Sequence, residues 1–297
     1  MIDLQQVSGN IMLKNAYVSF ASHNPKWKFD SINELYNYIY HRTDKSQYNL
    51  LELEIKLGTF KFAGVFQAFN YIQDIFKLPA VINNDVNNIN FESRIGENDF
   101  YALLYYMDCE SEKNPEIKKL DPEVYYEILH SSGKRKSDII NLRTQEKRRL
   151  VIIKDEKHHV QLRNNGTDFR ITIAKEFPTE ITEMDKPNQY RDKFRMSYKF
   201  RFFRLDLTIV VSGKTQQEKD SSCNIYEVEF EFDEINYRAK EFVNFESFYK
   251  IIERYLDNAF TFYELISNEY YAKFYNQNKT SESIYGDYLE KNGYNKM

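Results

Sequence analysis

Glycine is scarce in this chain, at 9 of 297 residues, and cysteine scarcer, at 2. Cys109 and Cys223 lie far apart with no CxxC, which excludes a disulfide framework or a cysteine zinc site and fits a reducing compartment. No apolar run approaches the ~18 residues of a membrane-spanning helix. The N-terminus carries Asp3 and no apolar h-region, so the expectation is an intracellular, unsecreted chain with no membrane partner. The histidines, His23, His41, His130, His158 and His159, never adopt HExxH spacing. GxSxG and GxxxxGK[ST] are missing as well, which removes the hydrolase elbow and the P-loop. There is no Lys-x-Asp-Gly nucleotidyl-transfer motif, and neither cysteine sits in a phosphate-cradling loop. The net charge of −4 excludes a nucleic-acid coat, so any polyanion must be held locally.

Aromatic residues are abundant, with 24 Tyr and 23 Phe, which argues for a folded chain over most of its length. Ser31-Ile32-Asn33-Glu34 reads as a capping box opening a helix over 31–42, with Ile32, Leu35, Tyr36 and Ile39 on one face. A second helix is expected over 97–107, where Phe100, Leu103, Leu104 and Met107 share a face, and another stretch from Ala68 to Phe76. Cys109 to Lys119 holds Pro115 and reads as a loop; Lys134-Arg135-Lys136 reads as a solvated turn. Residues 243–267 carry Phe248, Ile251, Ile252, Tyr255, Leu256 and Phe262 at helical spacing, a covering helix. Residues 276–297 read as a loose tail.

Between these helices lies strand after strand, starting at Leu50-Leu51-Glu52-Leu53-Glu54-Ile55-Lys56-Leu57-Gly58. At a side-chain period of two, Glu52, Glu54 and Lys56 share one face, and Leu51, Leu53, Ile55 and Leu57 the other. Gly58 is read as the end of this strand. A half-exposed edge strand accounts for the pattern; so does half of a metal site, because a divalent cation relieves the repulsion between neighbouring carboxylates. Three later strands repeat the pattern, with Lys193, Arg195 and Ser197 on one face, then Arg204, Asp206 and Thr208, then Glu227, Glu229 and Glu231. Charged residues are poor strand formers. The acid-rich and base-rich strands complement each other, with Arg143, Lys154 and Arg170 also available. Either the strands form a sandwich with solvated charged faces, or they close into a barrel with the charges inside and the apolar faces under the helices. The repetition across four strands favours the barrel.

Leu51 to Gly58, Arg191 to Tyr198, Arg204 to Thr208 and Tyr226 to Glu231 occur in this order. Together they resemble the motifs of the metal-dependent RNA 5′-triphosphatases of mRNA capping, the fungal, protist and viral type, within the triphosphate tunnel metalloenzymes. The resemblance covers about residues 31–262. It implies a mainly β fold with flanking helices, of the α+β class. The whole chain, 1–297, would form one tunnel domain whose core is a closed eight-stranded antiparallel barrel over about 50–233.

By motif match the resemblance implies that Glu52, Glu54 and Glu231 ligate Mn2+ or Mg2+. Lys193, Arg195 and Arg204, with Arg143 and Lys154, would bind substrate phosphate. Glu176, Arg195, Lys193 and Asp206 would be catalytic, with Glu176 orienting or activating water, and Lys56, Glu227, Glu229, Thr208 and Ser197 would support them. The implied reaction removes the γ-phosphate from triphosphate-ended RNA, with manganese-dependent NTP hydrolysis as a side activity. A separate mRNA guanylyltransferase is the implied partner and the nucleus the implied location, a viral or cytoplasmic setting being the alternative. Two rival readings are a tunnel enzyme acting on inorganic triphosphate or NTP, and a non-catalytic barrel that binds RNA ends or polyphosphate. The rivals acting on short substrates usually start with the ExExK strand near residue 1, whereas here it follows about fifty residues.

Overall fold

The computed structural model describes residues 18–20, 26–62, 80–82, 89–163, 167–201, 203–232 and 244–267. Eight long strands carry the fold: β1 Leu51–Phe62, β2 Glu123–His130, β3 Lys134–Asn141, β4 Lys147–Arg163, β5 Asp168–Pro178, β6 Pro187–Lys199, β7 Arg204–Gly213 and β8 Ile225–Glu231. Each pairs antiparallel with two neighbours, in the circular order β1-β5-β4-β3-β2-β6-β7-β8 and back to β1. The barrel is closed, so it has no free edges along this ring.

The apolar faces point outward, inverting the usual arrangement. Leu51, Leu53, Ile55 and Leu57 of β1 are buried in one apolar core with Ile171 and Ile173 of β5, Leu205 and Leu207 of β7, and Val228 and Phe230 of β8. Three helices close over that core: α1 Lys26–Arg42, α2 Glu97–Lys113 and α3 Phe245–Ser267. They contribute Ile32, Leu35 and Ile39; Phe100, Leu104 and Met107; and Phe248, Ile252, Leu256 and Phe262. Tyr255 of α3 also donates to the Phe230 carbonyl at 2.6 Å, fixing the helix to β8. None of the described helices is long and apolar enough to cross a membrane.

Several local expectations are corrected. Helix α1 starts at Lys26, and Ser31 is buried within it rather than capping it. Helix α2 runs through Cys109 to Lys113 before Pro115 stops it. Lys134-Arg135-Lys136 opens β3, since the turn is made by Gly133, with φ of 82°, just before it. Asn141 ends β3, and residues 142–144 form the turn after it. The apolar residues at 150–153 and at 160 and 162 lie on a single strand, β4, with a bulge between Asp155 and His158. The bulge reverses which parity faces inward.

Gly58 does not end β1, which continues to Phe62. There the strand passes against a short strand, Ile89–Glu92. A Cβ on Gly58 would lie 2.1 Å from the Glu92 carbonyl oxygen, so only glycine admits the crossing. The stretch 68–76 and the tail 276–297 lie outside the described residues.

Candidate active site

The acidic wall of the tunnel comes from β1, β5 and β8. Glu52 and Glu54 point inward, and Glu231 stands opposite Glu54 in the β1–β8 ladder. Lys154 of β4 donates to Glu52, 3.8 Å from Glu54 and 3.3 Å from Glu176. Lys56 donates to Glu229 and lies 3.4 Å from Glu54. Burial pushes the Glu52 carboxyl up to about 8, and Glu54, Glu176 and Glu231 add repulsion against the pull of Lys154. Burial also opposes ionisation of Glu54, but Lys56 and Lys154 outweigh it and hold that carboxyl below its ordinary range.

These residues fit a hard divalent cation: the donors are all carboxylate oxygens, and their mutual repulsion is what a cation relieves. No three acidic, histidine or cysteine side chains among the described residues form a ready-made ion site. Glu52 is engaged by Lys154, Glu54 by Lys56, and Glu231 by Arg204. A cation at this wall competes with those bases.

The basic wall is the inward row Arg191, Lys193 and Arg195 of β6. Arg191 donates to Glu227 at 2.9 Å. Lys193 is buried and lies 2.8 Å from Glu127 of β2. Arg195 reaches Asp206 at 3.1 Å, Glu229 at 3.3 Å and the Thr208 hydroxyl at 3.3 Å, with its guanidinium 4.8 Å from the Tyr125 ring centroid. Asp206, fully buried, accepts from Ser197 at 2.7 Å and from both nitrogens of Arg204 at 2.7 and 2.9 Å. This carboxylate locks two guanidiniums in place. Burial and Arg191 push Lys193 down to about 8, against the pull of Glu127. Glu127 resists its own burial because Lys193, Arg135 and Arg191 hold it at about 2. The pair is therefore charged at neutral pH.

Arg143 is set apart from this group. It sits in the turn after β3 with its side chain 77% exposed, 3.2 Å from Asp121 on the outside. Arg135 is the inward cation of that hairpin, reaching Glu176 at 3.2 Å. The alternation Arg135, Ser137, Ile139 carried that signal, hidden by reading 134–136 as a turn. Glu127 and Arg191 were also overlooked, each on the inward parity of its strand. Arg170 of β5 faces Lys56 in the ladder and lies 4.6 Å over the Phe91 ring. His158 and His159 point to opposite sides: His158 lies 2.9 Å from Glu34 of α1, and His159 is 3.0 Å from the Thr172 hydroxyl inside the tunnel.

A closed barrel lined with facing acids and bases defines a triphosphate tunnel protein. The sequence profile of the family described as mRNA capping enzyme, beta chain, matches residues 27–267. The chain belongs to that family, one of metal-dependent RNA triphosphatases. Among solved structures it is similar to the S. pombe Pct1 RNA triphosphatase, with 17% identity, 80% of this chain and 92% of that one covered, and a TM-score of 0.63. The complex of Pct1 with the Spt5 CTD matches at 17% identity over 80% and 93% of the two chains, with a TM-score of 0.61. A Mimivirus capping enzyme triphosphatase matches at 14% identity over 80% and 98%, with a TM-score of 0.48. The two Pct1 likenesses support the fold. No curated protein sequence matches the chain.

Proposed function

We infer that the tunnel hydrolyses the γ-phosphate of triphosphate-ended RNA, leaving a diphosphate end and orthophosphate, the first step of mRNA 5′ capping. The observation that carries this reading is Lys154, which holds Glu52 on the acidic wall and Glu176 at one point. A terminal phosphate seated there meets cations on one side and a carboxylate for water on the other.

Glu52, Glu54 and Glu231 hold the divalent cation, Mn2+ or Mg2+, which when bound supplies Lewis-acid neutralisation of phosphoryl oxygen charge. Lys193, Arg195, Arg204, Lys154 and Arg135 take the remaining phosphate oxygens as charge builds on them. Arg195 and Arg204 need no reorganisation, because Asp206 and Ser197 have already fixed them. Thr208 and Glu229 steady Arg195, Glu227 steadies Arg191, and Lys56 steadies Glu229. Glu176, at the end of β5, orients the attacking water and accepts its proton, and is held in place by Arg135 and Lys154. NTP is a secondary substrate with manganese. The diphosphate end is the substrate class that a guanylyltransferase takes, and a role in capping fits a nuclear setting, a viral or cytoplasmic one being the alternative.

Phosphate release from triphosphate-ended RNA, measured with and without Mn2+, tests the reading. Wild type is expected to need the metal, and Glu52→Ala to lose about 10²- to 10³-fold in kcat. Equal release by the variant, or metal-independent release by the wild type, contradicts it.

A further inference from the structure

The tunnel lining is not charged all the way round. Lys154 points inward, so Ile152 and Leu150, two and four residues earlier on β4 with no bulge between, point inward too. The β3–β4 ladder agrees: Leu150 faces Ser137, and Ser137 is buried against inward-facing Glu127, 3.4 Å away. Ile139 of β3 shares that parity. Ile139 and Ile152 are each 3% exposed, yet they stand apart from the apolar core outside the barrel. Leu150 is 41% exposed. It lies past the end of β5, whose ladder with β4 starts at Ile152 opposite Pro178. One side of the mouth nearest Glu52 is therefore an apolar shelf, with a water-exposed leucine at its rim. Beyond it the lining is charged again, where Arg148 pairs with Glu123 at 2.8 Å and the Tyr125 hydroxyl donates to Glu123 at 2.6 Å.

We propose that Leu150, backed by Ile139 and Ile152, is the platform for the base of the first nucleotide of the substrate. This rests on the triphosphatase reading above and adds what that site holds next to the phosphates. Inward positions along a strand advance by roughly 6.6 Å, which sets Leu150 roughly 13 Å from Lys154 along β4. That matches the reach of a nucleoside triphosphate from terminal phosphate to base. An apolar platform takes the face of any base, so it binds a nucleoside without choosing its sequence, as an RNA end requires. The charged walls bind the triphosphate, and the shelf distinguishes a nucleoside-bearing triphosphate from a bare one.

The test compares wild type, Leu150→Ala and Leu150→Trp on three substrates: triphosphate-ended RNA, ATP and inorganic tripolyphosphate, which has no base. Leu150→Ala is expected to raise KM for RNA and ATP about 5-fold, the loss of roughly one or two buried methylene contacts, and leave tripolyphosphate hydrolysis unchanged; the retained activity also certifies the fold. Leu150→Trp is expected to lower KM for RNA and ATP only. Equal effects on all three substrates, or none on any, overturn the inference while the triphosphatase reading stands. A wild type that hydrolyses none of the three overturns that reading and the inference with it.

Discussion

Lys154 donates to Glu52 although the strands bearing them are not neighbours; β5 lies between. The contact bridges the inside of the barrel and occupies the carboxylate that a cation needs. Removing the ammonium leaves Glu52, Glu54 and Glu176 facing each other without it. Lys154→Ala is therefore expected to melt lower than wild type without metal and to gain more from Mn2+. Saturation at 100 times Kd adds about 2.7 kcal/mol to stability. Thermal melts with and without Mn2+ read both effects, and activity should fall, since a phosphate contact is lost.

The two arginines of the β3–β4 hairpin should separate cleanly. Arg143→Ala removes an exposed ion pair with Asp121, worth about 0–1 kcal/mol, and is expected to leave kcat and KM unchanged. Arg135→Ala removes an inward guanidinium on Glu176 and is expected to lower kcat by about 10²-fold or more. Steady-state phosphate release on the two variants checks this.

Asp206 and Glu231 both hold Arg204, yet their loss should differ in kind. Asp206 is fully buried under Arg195, Arg204 and Ser197. Asp206→Ala leaves buried charge uncompensated and should cost about 3–5 kcal/mol. Glu231 is 32% exposed, and Arg204 keeps Asp206 as a partner without it. Glu231→Ala should cost stability no more than about 1 kcal/mol while abolishing metal-dependent turnover. Denaturant unfolding paired with activity assays distinguishes them.

His159 sets an acid limit. Burial and the neighbouring Arg170 push its imidazole down to about 4, with Lys157 and His158 adding to the shift and Glu54 opposing it. The unfolded chain takes up a proton near 6.5, and the folded chain does not until about 4. The stability this contributes is complete above 6.5 and is lost as pH falls towards 4. Melting curves of wild type and His159→Asn should converge or cross as pH drops from 7 to 4.5; a constant gap contradicts the assignment.

The inverted barrel was legible because Glu52/Glu54, Lys193/Arg195, Arg204/Asp206 and Glu227/Glu229/Glu231 alternate without interruption. Each strand then has an unmistakable inner face. The residues missed were those where alternation is masked by something local. Arg135 is flanked by Lys134 and Lys136, and three consecutive basic residues show no parity. In β4 the bulge at 155–158 splits one strand into two apparent ones. Gly58 reads as a terminator in sequence, because nothing local reveals that Glu92 crosses there. The ion pairs themselves, such as Lys154 with Glu52, depend on strand order and register, here β1 and β4 on either side of β5, which the local sequence does not carry.

Hydrolysis at the γ-phosphorus inside this tunnel is read out by end-group analysis of the product. RNA bearing a labelled γ-phosphate and, separately, a labelled β-phosphate is incubated with the protein and Mn2+. Labelled orthophosphate is expected from the first and a diphosphate-ended RNA that keeps its label from the second, with both lost in Glu54→Gln. Pyrophosphate release, or undiminished turnover by Glu54→Gln, would contradict it.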